Sequence, residues 1–400
     1  MRITALETLR TEEFANVIWV RVHTDAGIIG LGETFYGAGA VEAHLHDTLS
    51  LRLLGRNPLH IEALHREMLN LPMAQSSTGV EYRAASAVDI ALWDLFGKAC
   101  GQPVHGMLGG LCRPRQRIYN TCAGYAYVRS NQIKPVSNWN PNQDAAGPYE
   151  DLHGFMTRAD AVAESLLEQG ITAMKIWPFD PAALANEGAH ITKDQLKAAL
   201  DPFERIRRAV GDRMEIMVEF HSLWNLPMAK LLARHLEPYQ PTWFEDPIRM
   251  NSPQALAEYA RSTPVWVCAS ETLGSRHAYK EYLDRDAIGV VMADLCWTGG
   301  LTEGRKIAAM ADTYHRPFAP HDCIGPVGFI AGIHASFSQP NTLIQESVRA
   351  FYTGWYRELV TEMPVIRDGW VLPMEGPGLG TELQPAVFER TDLTVRRSEA

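Results

Sequence analysis

The chain reads as an α/β protein built on a (β/α)8-type barrel, with a smaller α+β section ahead of it. Three observations carry that reading. From about residue 117 onward, eight short runs rich in β-branched and aromatic residues alternate with amphipathic helical patterns. The polar residue that closes each run recurs at a nearly constant interval. Before residue 117 the order differs, with strands first and helices after, which is an α+β arrangement.

The first section opens with "NVIWVRVHTDAGIIGLGETF", two strands joined by a turn at Asp25-Ala26-Gly27. Residues 38–70 and 80–100 then carry apolar side chains at helical spacing. "ASAVDIALWDLFGKACGQPV" stops at Gly101 and Pro103, a helix-end signal. The Gly30-Leu31-Gly32 of "GIIGLGE" is not a dinucleotide fingerprint: Phe35 replaces the third glycine, and the stretch follows a hairpin. The eight runs are 117–122, 172–177, 215–220, 241–246, 265–271, 289–294, 317–321 and 342–347. Repeated strand–helix alternation implies a parallel sheet, and eight strands fit a closed barrel better than an open sheet. Residues 128–153 break the rhythm. They are polar and rich in Pro, Asn and Gly, and are expected to form a long loop over a pocket or at an oligomer contact. The tail, 355–400, has no barrel rhythm and is expected to return to the first section. The expected organisation is therefore 1–116, a barrel over 117–354, and the tail 355–400.

Composition narrows the function classes. A chain of 400 residues, 46% hydrophobic, can bury a large core, and a net charge of −10 argues against nucleic acid or an anionic membrane as partner. No uninterrupted apolar run approaches the roughly 18 residues of a membrane span. "MRITALETLR" has no apolar leader core. Six scattered cysteines without a CxxC pair read as reduced thiols, and the expected location is the cytoplasm.

Active-site groups of a barrel sit at the C-terminal ends of its strands. The residues closing the runs are Glu219, Glu245 and Glu271, separated by 26 and 26, then Asp294 after 23, His321 after 27 and Glu346 after 25. Lys175 lies one unit before Glu219. Three carboxylates on consecutive strands would repel one another, and a hard divalent cation resolves the repulsion. Mg²⁺ takes oxygen ligands and keeps positions for water and substrate. Asp294 and His321 close neighbouring strands, where an aspartate can fix the imidazole tautomer and raise its basicity, as a general base requires. In "IMVEFHSLW", Glu219 and His221 are two apart, so on a continuous strand they would enter the same space.

These pieces together resemble the enolase superfamily, in its mandelate racemase and muconate lactonizing branch. The resemblance runs through "GIIGLGETF", "ALWDLFGKACGQPVHGMLGG", "MKIW", "FEDP", "SETL", "ADLCWTGGLTEG", "APHDCIGP" and "PGLG" in order. It implies a capping α+β domain built from both termini over a modified (β/α)7β barrel, Mg²⁺ on Glu219, Glu245 and Glu271, and removal of the proton α to a carboxylate through a stabilised enediolate. It also implies a homo-oligomer, between dimer and octamer, acting on a small carboxylate.

Departures from the family pattern narrow this further. Many relatives place a second base lysine where this chain has Trp177, so a two-base racemase is disfavoured and Lys175 is left to steady the substrate carboxylate. A carboxylate followed by His at the third strand resembles the sugar-acid dehydratases akin to galactonate or mannonate dehydratase. By that resemblance His321 takes the C2 proton, His221 protonates the departing C3 hydroxyl, and Glu346 sits by the substrate carboxylate. Glu219 stands where those enzymes usually have Asp, and "SLW" replaces their "GR", which leaves the particular sugar open. Asn120, Trp177 and Trp297 are expected pocket walls, with Glu33, Thr34 and Tyr36 on a capping loop that closes over them. The product would be a 2-keto-3-deoxy acid. The alternative is a one-base cycloisomerase, lactonizing enzyme or epimerase using the same intermediate.

Overall fold

The computed structural model describes residues 1–69, 79–129 and 149–400. Strands β1 (Ile3–Thr11), β2 (Val17–Thr24) and β3 (Ile29–Phe35) form an antiparallel meander, with Gly27 at φ 74° in the β2–β3 turn. The 21-residue helix Val80–Cys100 crosses this sheet and ends at Gly101, φ 64°. Gly30 and Gly32 are glycine because the helix leaves no room. A Cβ would stand 2.0 Å from the Ala91 carbonyl oxygen at the first and 1.9 Å from that of Ala87 at the second. The glycine pair of "GIIGLGE" thus serves close backbone packing.

Eight parallel strands follow: β4 (Gln116–Thr121), β5 (Ala173–Ile176), β6 (Glu215–Glu219), β7 (Trp243–Glu245), β8 (Trp266–Ala269), β9 (Val290–Ala293), β10 (Phe318–Pro320) and β11 (Gln345–Ser347). Each of β4 to β9 pairs with its successor, and β11 pairs back onto β4. Phe318 bridges to Thr342 across the last seam. The eight runs read from sequence all become strands: β4 keeps its six residues but starts one earlier, and the other seven are shorter by one to three residues. Tyr119, Met217, Trp243, Cys268, Met292 and Ala319 fill the interior, so the barrel has a packed floor and not a pore.

The tail does not return only to the first section. Strand β14 (Leu393–Glu399) does pair with β1, Ala5 opposite Glu399. But the hairpin β12 (Ile366–Arg367) and β13 (Trp370–Val371) adds to the barrel wall beside β4. β5 and β11 pair only with the later residues of β4, and the hairpin satisfies the backbone at its start, as when the Ile118 amide donates to the Gly369 carbonyl. The expected loop at 128–153 falls largely outside the described residues. Its end is helical, because Asp151–Thr157 forms a helix anchored by a bidentate Arg349–Asp151 pair at 2.6 and 2.7 Å. Among the described residues no helix is long and apolar enough to cross a membrane.

Candidate active site

The C-terminal rim of the barrel gathers a dense group of ionisable side chains. Glu219 and Glu245 are register partners at the ends of β6 and β7. Glu271 lies two residues past β8. One carboxylate oxygen from each of the three lies within 4.8 Å of the others. The Trp243 indole donates to Glu245 at 3.0 Å and the His221 amide to Glu219 at 2.5 Å, which fixes both carboxylates. Glu219 Oε2 is buried without a hydrogen-bond partner. An orphaned buried carboxylate oxygen, facing two more carboxylates in an all-oxygen set, fits a hard divalent cation. Burial, reinforced by Glu245, holds the Glu219 carboxyl well above its usual range.

Lys175, on β5, supplies the local cation. Its Nζ lies 2.6 Å from Glu245, 2.8 Å from Glu346 and 3.7 Å from Glu219. Burial alone would strip its proton, but Glu245 and Glu346 outweigh burial and keep the ammonium charged. Glu346 also accepts from the Thr121 hydroxyl, and from the Asp322 amide at 2.9 Å. Burial works against its charge, yet Lys175 and His321 hold it ionised.

Two histidines face the same cavity, each backed by a buried aspartate. His321 Nδ1 is 2.7 Å from Asp294, on the neighbouring strand end, and its Nε2 is 2.8 Å from Glu271. Burial opposes a charge on His321, but Glu271 and Glu346 dominate and raise its pKa well above the ordinary range. Conversely, burial would raise Glu271, and His321 brings it down to about 2. His221 Nδ1 is 2.7 Å from Asp180, the first residue of the helix Asp180–Ala185 after β5. Burial raises Asp180, and His221 partly offsets this. His221 does not reach the cavity by strand alternation, because β6 ends at Glu219. It enters through a left-handed turn, with φ 47° at His221 and 58° at Ser222. Tyr36 and Asp246 are also left-handed, at 67° and 40°. Non-glycine residues in this region are uncommon and cluster at functional sites.

The cavity is walled by Phe35, Tyr36, Tyr127, Trp177, Trp297 and Ile324, among others. Trp177, Trp297 and Tyr36 thus stand where sequence placed them. Asn120 does not. Tyr119 and Thr121 point into the barrel, so Asn120 points out, where it donates to Asp151 at 3.0 Å and accepts from the Arg349 amide at 2.8 Å. Glu33 is also displaced from the expected role. It lies within β3, not on a loop, and its fully buried carboxylate accepts from Trp19 Nε1 at 2.8 Å and the Gly328 amide at 2.9 Å. It seats the N-terminus of the barrel helix Pro326–Ser338 against the cap. Burial pushes its pKa up to about 7. Thr34 bonds the Cys296 carbonyl at 2.6 Å in the same seam. Glu33→Ala is expected to lower folding stability by about 3 kcal/mol, the order of several buried donors losing their acceptor. Thermal denaturation checks it, and an unchanged Tm would refute the clamp.

Sequence reasoning missed Asp180, Thr121 and Asp246. Thr121 was accessible from the strand period, two places after Tyr119. Asp246 is buried and accepts from the Ser270 hydroxyl at 2.5 Å. Burial, then Glu271, holds it well above its ordinary range. Asp180 lies 41 positions from His221, and no local pattern joins them.

Comparison with known proteins agrees with this layout. Residues 3–109 match the mandelate racemase/muconate lactonizing enzyme N-terminal domain, and 157–387 the enolase C-terminal domain-like family. D-galactonate dehydratase of Ralstonia pickettii is 30% identical, over 98% of this chain and 94% of its own. D-xylonate dehydratase of Haloferax volcanii is 28% identical, over 95% and 86%. A crystal structure of a mandelate racemase subgroup enolase from Agrobacterium tumefaciens superposes with a TM-score of 0.89 at 48% identity, covering 100% of this chain and 99% of that one.

Proposed function

The chain belongs to the mandelate racemase/muconate lactonizing enzyme family of the enolase superfamily, and on that premise we propose that it is a Mg²⁺-dependent sugar-acid dehydratase. The observation that carries the proposal is the pair of histidine–aspartate couples, His321–Asp294 and His221–Asp180, on one cavity with the glutamate cluster between them in strand order. Dehydration needs a base at C2 and an acid at C3, and this is one more titratable couple than a one-base isomerisation uses. The dehydratase names of the relatives from Ralstonia and Haloferax support the same reading.

Glu219, Glu245 and Glu271 would hold the cation, whose charge offsets the negative charge that builds on the substrate carboxylate as the α-proton leaves. Lys175 adds a second positive charge beside that carboxylate. His321 would keep its Nδ1 proton toward Asp294, and Nε2, which Glu271 holds protonated while that carboxylate has no cation to bind, would be freed by Glu271 turning to the cation and could then take the C2 proton. Asp180 orients His221 in the same way, with Nε2 toward the cavity to give a proton to the departing C3 hydroxyl. The C3–O bond breaks, water leaves, and the resulting enol becomes the 2-keto-3-deoxy acid. No oxidant or reductant is consumed. Trp177, unable to accept a proton, is a wall on the side where a second base would stand.

The test separates the two histidines. In D₂O with Mg²⁺ and a panel of sugar acids, His221→Asn is expected to retain α-deuterium exchange within a few-fold while keto-acid formation falls by about 10²- to 10⁴-fold. Asp180→Asn is expected to follow it at smaller amplitude, in kcat more than KM. Equal loss of exchange and dehydration in His221→Asn would remove it as the acid. Exchange without water loss in the wild type would make the protein an isomerase.

A further inference from the structure

Glu219 and Glu245 are the last residues of β6 and β7, so the sheet ladder fixes their backbones. Glu271 has no such support. It stands two residues past β8, and its side chain is 18% exposed where those of Glu219 and Glu245 are 2% and 0%. The residues on either side of it are tied together instead. The Ser270 hydroxyl oxygen accepts from the Thr272 amide at 3.2 Å and lies 3.0 Å from the Thr272 hydroxyl. Ser270 gives its own proton to Asp246 Oδ2 at 2.5 Å, which leaves the Thr272 hydroxyl as donor in the second contact. The Tyr279 hydroxyl donates to the Ser270 carbonyl at 2.7 Å. The Ser270 side chain thus closes a small ring around the backbone of Glu271, and Asp246 anchors that ring. Asp246 also reaches the other way. Left-handed at φ 40°, it accepts at its carbonyl from the Ser222 amide at 2.8 Å, and its own amide donates to the Cys268 carbonyl at 3.1 Å. Ser222 belongs to the turn that brings His221 into the cavity. One buried residue after β7 therefore holds the turn after β6 with its main chain and the loop after β8 with its carboxylate. The mechanism gives it no role.

We propose that Asp246 is a positioning residue of the metal site, fixing through Ser270 the backbone from which Glu271 reaches the cation. The proposal rests on the reading of Glu219, Glu245 and Glu271 as the cation site, and adds a fourth carboxylate that acts without touching the ion. Glu271 has two partners to serve, His321 Nε2 at 2.8 Å in this structure and the cation when it is bound. With residues 270 and 272 held by one hydroxyl, the backbone stays in place and the Glu271 side chain alone exchanges between them. Partners that orient metal ligands in this way set affinity as well as geometry.

The experiment measures Mg²⁺ affinity by titration calorimetry for wild type, Ser270→Ala, Asp246→Ala, Asp246→Asn and the Asp246→Ala/Ser270→Ala double variant. Circular dichroism of the chelated proteins establishes that each is folded, and Ser270→Ala, which loses one oxygen, carries the test if Asp246→Ala does not fold. Ser270→Ala and Asp246→Ala are each expected to weaken Mg²⁺ binding by about 10- to 100-fold. The double variant should bind no more weakly than the worse single variant, because both break one chain of contacts. Asp246→Asn keeps an acceptor oxygen for Ser270 and tolerates a left-handed backbone, so it should recover most of the affinity. Keto-acid formation at saturating Mg²⁺ should fall less than affinity does. If wild type binds Mg²⁺ and the alanine variants bind it as tightly, the proposal alone is overturned and the Asp246–Ser270 bond is packing. Additive losses, or an Asp246→Asn protein as weak as Asp246→Ala, overturn it as well, since the carboxylate would then act by its charge and not through Ser270. If wild type binds no Mg²⁺ while folded, the cation reading of the three glutamates fails and the proposal falls with it.

Discussion

His321→Asn is expected to lose both α-deuterium exchange and keto-acid formation by about 10⁴-fold, the upper range for removal of a positioned general base. The expectation follows from position. His321 follows β10 directly, its Nδ1 is 2.7 Å from Asp294, and its Nε2 faces the cavity beside the glutamate cluster. Asparagine keeps a polar group near Asp294 but has no nitrogen of comparable basicity. Every outcome that begins with C2 deprotonation should fail together, which distinguishes this variant from His221→Asn, where exchange persists. The readout is proton NMR of the recovered substrate in D₂O, with circular dichroism to establish that the variant is folded. Exchange retained within tenfold would move the base elsewhere, and Lys175 would become the group to examine.

The second large effect concerns the glutamates and carries opposite signs for stability and activity. Chelation is expected to abolish turnover, and Mg²⁺ at a hundredfold excess over its Kd should stabilise the fold by about 2.7 kcal/mol. Without the cation, Glu219 is a buried carboxyl whose pKa is raised above its unfolded value by burial and Glu245. The folded state therefore binds this proton more tightly than the unfolded chain does. Its contribution is fully present below the unfolded carboxyl range near pH 4.5 and is lost as pH rises. Chelated protein should lose Tm as pH rises above the ordinary carboxyl range, and Mg²⁺ should reverse that loss. Glu219→Gln should flatten the pH dependence, raise the Tm of chelated protein and abolish the Mg²⁺-induced shift, all while removing turnover. Scanning calorimetry across pH, with and without Mg²⁺, measures each of these. A Glu219→Gln protein that still gains several degrees from Mg²⁺ would place the cation elsewhere.

Most of the barrel was legible because two regularities coincide. Strand runs recur, and the side chains at their C-terminal ends share one parity with the interior residues beneath them, except Glu271, which lies three past the interior Cys268. Met217 and Glu219, Trp243 and Glu245, Ala319 and His321, Ile344 and Glu346 are all two apart, the lower member in the barrel core and the upper at its rim. The same parity would have rejected Asn120 and chosen Thr121. What sequence alone could not reveal depends on distant approach. Glu33 meets Gly328 across 295 positions, and Asp180 meets His221 across 41. Neither pairing leaves a periodic trace, since each is made by the cap settling on the barrel or by one crossover loop leaning over the next. The side chains at the rim were readable, but their backbone conformations were not. "EFHS" reads as a strand continuing to His221, yet β6 stops at Glu219 and the chain turns left-handed.

That turn has a cost which selection must maintain. Tyr36, His221, Ser222 and Asp246 each occupy a backbone region that side chains resist, at roughly 1–3 kcal/mol apiece. Glycine would adopt the same conformations freely. A variant bred only for heat resistance therefore has a downhill route through this rim, trading the imidazole at His221 for a relaxed turn. Thermostability and turnover are expected to diverge here sooner than anywhere in the barrel wall, and a search for a sturdier form of this protein should hold these four positions fixed.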